Sequence, residues 1–71
     1  MNDKKLLKEF YVIVDELDKN ILRFNELEKL LETAKEKNDV ELLKKLYVEY
    51  KEVSNKIMVL KEKSERLKEG N

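Results

Sequence analysis

Three features of the sequence predict an all-α fold: a long antiparallel two-helix hairpin of coiled-coil type. Apolar residues recur at alternating steps of three and four over two long stretches. The stretches are similar in length, and one short polar break, Lys37-Asn38-Asp39-Val40, separates them. There is no proline, and the one glycine is Gly70, so nothing else interrupts helix between residues 4 and 69. All 71 residues fit a single domain, with a helix over about 3–37, a turn at about 38–39 and a helix over about 40–69.

The first helix starts after Met1, with Asn2 or Asp3 as the cap. At 1.5 Å per residue it is roughly 50 Å long. Lettered as heptads, Phe10, Leu17, Phe24 and Leu31 fall at a, and Leu6, Ile13, Asn20, Leu27 and Ala34 at d. Leu7, Val14 and Ile21 occupy e, which widens the stripe beyond a simple two-stranded seam. Asn20 is the polar residue in this seam. A buried amide there needs a partner and can select one register between helices; in the competing arrangement Ile21 takes the buried place and Asn20 turns to water.

The break carries its own chemistry. Asn tolerates the left-handed conformation that commonly ends a helix. Asp39 offers a carboxylate to the open N–H groups of the next turn. Lys35 and Lys37 suit the negative end of the first helix, and Glu41 suits the positive end of the second.

In the second helix Leu43, Tyr50, Ile57 and Ser64 fall at a, and Leu46, Val53, Leu60 and Leu67 at d. Leu42 and Tyr47 widen the stripe near the turn, and Gly70 stands where a helix stops. Charge pairs four residues apart, Asp15/Lys19, Glu41/Lys45, Glu52/Lys56 and Glu62/Arg66, suit the outer faces. Reversal at residues 38–39 sets Leu31 against Leu46, Leu27 against Tyr50, Phe24 against Val53, Leu17 against Leu60 and Phe10 against Leu67. Asn20 near Ile57, and Ser64 near Ile13 and Val14, are the polar exceptions.

Two helices alone pack each seam residue from one side only, so further burial is expected. A two-fold homodimer forming a four-helix bundle supplies it without disulfides. The e positions, with Tyr11, Val12, Leu22, Val48, Met58 and Val59 outside the seam, are the apolar surplus. Most of these lie in the half away from the turn, where they are expected to form one shared patch. The expected interface comprises Leu7, Tyr11, Val14, Ile21, Leu22, Met58 and Val59.

Composition narrows the function classes. Without Cys or His there are no disulfides, no thiolate chemistry, no zinc site of the usual ligands and no ordinary neutral-pH acid–base pair. Ser54, Ser64 and Thr33 have no base to activate them. No enzyme, cofactor or metal site is expected. Sixteen basic residues balance sixteen acidic ones, which disfavours a general affinity for nucleic acid or anionic membrane. No run approaches the length of a membrane span, and the short apolar run Phe10–Val14 is no signal peptide, so the expected location is cytoplasmic.

Several constellations compete with a plain solvated surface. Asp15 and Asp18 share a face and have oxygen ligands suited to a hard cation, but Lys19 neutralises part of that cluster. The tip acids Glu36, Asp39 and Glu41 are similar in outline to the acidic hairpin tip of bacterial transcript-cleavage factors. Those tips carry a second carboxylate three residues after the Asp, where this chain has Leu42, so the acids are read as caps. Leu27-Glu28, Ala34, Asp39-Val40-Glu41, Leu46 and Val53 resemble the UVR hairpin of nucleotide-excision-repair proteins. That motif has small residues where this chain has Leu43 and Lys44, and Arg-Asp where it has Tyr47-Val48, so no family is assigned. Lys44, Lys45, Lys51 and Lys56, with Lys61, Lys63 and Arg66 beyond, suggest the alternative function, a nucleic-acid-binding hairpin dimer of the Rop type. Glu49, Glu52, Glu62 and Glu65 interrupt that face, and Tyr47 and Tyr50 are expected on the core side. The preferred reading is a non-catalytic, homo-oligomeric protein–protein interaction or assembly module.

Overall fold

The computed structural model describes residues 3–69. It is all-helical: α1 spans Asp3–Glu36 and α2 spans Val40–Glu69, and the two pack against each other as a hairpin. The described residues form a rod of 56 × 14 × 12 Å. Asn2 and Gly70, expected at the helix ends, lie outside the described residues, as does the side chain of Asp3.

The reversal takes the three residues 37–39. Asn38 adopts a left-handed conformation, with φ of 55°. Its N–H donates to the Lys35 carbonyl at 3.1 Å, and the Asp39 N–H donates to the Ala34 carbonyl at 3.0 Å. Together these bonds form a Schellman closure, which satisfies carbonyls that the helix end leaves open. Asp39 then begins α2. Its carbonyl accepts the first helical bond from Leu43 N–H at 2.9 Å, and its Oδ1 accepts from Leu42 N–H at 3.2 Å. One residue thus closes α1 with its donor and opens α2 with its acceptors.

Among the described residues the buried side chains are Leu27, Ala34, Leu46, Val53 and Leu60, all at d positions. Four of them, without Leu60, form one cluster, flanked by half-buried Phe24, Leu31, Leu43, Tyr50 and Ile57. The core is therefore concentrated toward the turn. The Phe24 ring stacks on Tyr50 at 4.6 Å between centroids, with planes 24° apart. The expected layer set Phe24 against Val53. Phe24 packs against the cluster that contains Val53, and its stack on Tyr50 adds a contact between neighbouring layers, because large flat side chains interdigitate along the seam.

Other expectations are corrected by the side chains. Asn20 is half-buried, and its Nδ2 donates to the Glu16 carbonyl of its own helix at 2.8 Å. The amide is thus satisfied locally and makes no bond across to α2, while Ile21 stays exposed and does not take the buried place. Ser64 likewise returns its hydroxyl to its own helix, donating to the Lys61 carbonyl at 2.8 Å. Tyr47 is not on the core side: it is exposed, lies tilted against Tyr50 at 6.4 Å, and carries Lys51 Nζ 5.2 Å from its ring. Of the four expected charge pairs, Asp15–Lys19 closes at 3.4 Å. Among the described residues the other three are not ion-paired, as befits exposed flexible side chains that gain little from holding one geometry.

A candidate self-association surface

Heptad lettering divides the hairpin into two long sides. On one side the g positions of α1 and α2 meet. The contact there is Arg23 with Glu49: Nε donates to Oε2 at 2.7 Å and Nη2 to Oε1 at 2.9 Å. Arg23 also reaches Glu26 at 3.3 Å. The bidentate fork holds the Glu49 carboxyl below the ordinary carboxylate range and raises Arg23 further; partial burial opposes both shifts. Both side chains remain about two-fifths exposed, so the pair aligns the helices more than it stabilises them. The sequence reading missed this pair. Its signal was present, since g faces g in an antiparallel pair and the two residues have opposite charge.

The same side carries an open groove toward the free ends of the helices. Glu16, Asn20, Asn55, Lys56, Val59, Leu60 and Lys63 line one part of it. Lys8, Glu9, Val12 and Ile13 continue it beside Glu16 and Lys63. Glu9 and Glu16 from α1 face Lys56 and Lys63 from α2 across this groove, with Lys8 of α1 toward its open end.

The other side bears the apolar surplus. Along α1, Leu7, Tyr11, Val14 and Ile21 follow one another at steps of four, three and seven, which puts them on one face. Leu7 is 52% exposed, Tyr11 62% and Ile21 37%, while Val14 is half-buried. Leu22, 64% exposed, flanks Ile21 farther from α2. Met58 is exposed on the corresponding side of α2. Val59 departs from this set: it lines the groove on the Arg23–Glu49 side, where Val12 also lies. The apolar surplus thus divides between two faces, because residues 11 and 12, like 58 and 59, point about 100° apart. Six of the seven expected interface residues share one side and Val59 lies on the other.

Among the described residues there is no group of three or more carboxylates placed to hold a metal ion, no unpartnered buried side-chain polar atom, and no helix long and apolar enough to cross a membrane. Comparison with family models, curated proteins and solved structures finds no match to this chain.

Proposed function

We propose that the chain is a non-catalytic assembly module, a helical hairpin that pairs with a second copy through the Leu7–Tyr11–Val14–Ile21 face to form a four-helix assembly joined along α1. One observation carries this reading. No residue from 4 to 22 is buried, although about half of that stretch is apolar. The a and d positions there have only α2 to cover them, and the e positions project past its edge. At about 25 cal/mol per Å2 of apolar surface removed from water, a second hairpin on this face is a substantial source of stability. The equal numbers of acidic and basic residues suit contact with protein better than with a polyanion.

The test is Val14→Glu with Ile21→Glu, followed by equilibrium sedimentation. The wild type is expected as a dimer. The variant is expected as a helical monomer, with association weakened by several kcal/mol (on the order of 2–3 for each charge forced into the contact). A variant that associates as tightly as the wild type would show that this face is not the interface.

A further inference from the structure

We infer that the second copy lies antiparallel along α1, with the two-fold axis beside residue 16, so that Lys4 of each chain meets Glu28 of the other. This rests on the self-association just proposed and assigns its geometry. The exposed face of α1 contains a second seam: Lys4, Leu7, Tyr11, Val14, Asp18, Ile21, Asn25 and Glu28 follow one another at steps of three and four. The step pattern reads the same in both directions. An antiparallel copy therefore registers against it position for position, each pair of residue numbers having the same sum. Leu7 falls opposite Asn25, Tyr11 opposite Ile21, and Val14 opposite Asp18.

Charge selects the direction. A parallel copy would set Lys4 on Lys4, Asp18 on Asp18 and Glu28 on Glu28, three layers of like charge. The antiparallel copy brings Lys4 and Glu28 together at both ends of the seam and places each Asp18 carboxylate one turn from the partner's Tyr11 hydroxyl. Charge also selects the helix. The corresponding face of α2 carries Lys44, Lys51, Lys61 and Lys68 against one acid, Glu65, with Lys68 Nζ lying 6.0 Å from the Phe10 ring. Opposed α2 helices would bring Lys61 near its own copy. Contact along α1 leaves these lysines at the rim, in water. Overlap of residues 4–28 is about 36 Å long, and the two turns project at opposite ends of the assembly.

Charge reversal tests the register, because Lys4 and Glu28 are both exposed and neither belongs to the hairpin core. Dimer dissociation constants would be measured by sedimentation at low salt for the wild type, Lys4→Glu, Glu28→Lys and the double variant, with helicity checked in each. Each single reversal places two like-charge contacts at the interface and is expected to weaken the dimer about tenfold. The double reversal restores opposite charges and is expected to return within about threefold of the wild type. A wild-type dimer without this rescue, whether the four proteins associate equally or the losses add, would overturn the register and leave self-association standing. A monomeric wild type would overturn both.

Discussion

Among the described residues Leu27 is the one large side chain with no exposed surface, and Leu27→Ala follows directly from that. It lies in the cluster with Ala34, Leu46 and Val53, with Phe24, Leu31 and Tyr50 among the half-buried flankers. Truncation removes buried methyl groups and leaves a void. In close-packed interiors such changes cost about 2–5 kcal/mol. Here the walls are only two helices thick and can move inward, which favours the lower part, about 2–3 kcal/mol. For a chain of this length each kcal/mol is worth about 4–8 °C, so the melting temperature should fall by about 10–20 °C. Val48→Ala is the control, because Val48 is largely exposed, lies outside the seam and belongs to no expected interface, so its removal should cost less than about 0.5 kcal/mol. Urea unfolding followed by far-ultraviolet circular dichroism, with both variants at one protein concentration, gives the comparison. Equal losses for the two would refute the placement of the core around Leu27.

Two further outcomes are expected. At the turn, Asn38→Gly should leave stability unchanged or raised, while Asn38→Val should cost about 1–2 kcal/mol, because a β-branched residue strains at positive φ; equal melts would mean that the left-handed closure is not required. The Glu49 carboxyl has a lower pKa in the hairpin than in the unfolded chain, so its contribution is full above the ordinary glutamate range and is lost as pH falls through the depressed folded value. Glu49→Gln should therefore flatten stability against pH on the acid side of that range, as measured by melts across the acid limb; an unchanged acid limb would count against the Arg23 fork.

The hairpin was legible because each of its signals is local. The three-four spacing marks both helices, and Asn38-Asp39 marks their junction by the conformations those two residues tolerate. Individual side-chain partners were less legible, since heptad letters give a face and not a reach. Phe24 extends to the neighbouring layer and stacks on Tyr50. Asn20 occupies a seam position, yet its short amide finds the Glu16 carbonyl one turn back before anything on α2. Tyr47 widens the stripe on paper but turns out toward Lys51. Arg23–Glu49 required pairing the g positions of the facing helices as well as the seam. On the candidate surface, the face formed by Leu7, Tyr11, Val14 and Ile21 followed from spacing. The separation of Met58 from Val59 required knowing which edge of α2 borders the groove.

Self-association is the claim on which the functional reading depends, and the dependence of stability on concentration measures it most directly. Folding linked to dimer formation loses stability on dilution by mass action, about 2.7 kcal/mol for each hundredfold. Spread over the unfolding entropy of two chains, that is a fall in melting temperature of about 9 °C. Melts across a hundredfold dilution, read beside equilibrium sedimentation at the same concentrations, should show this fall together with a dimer mass at the upper end. A monomer mass throughout, with one melting temperature at every concentration, would contradict the account and leave the exposed face of α1 to a different partner or to none.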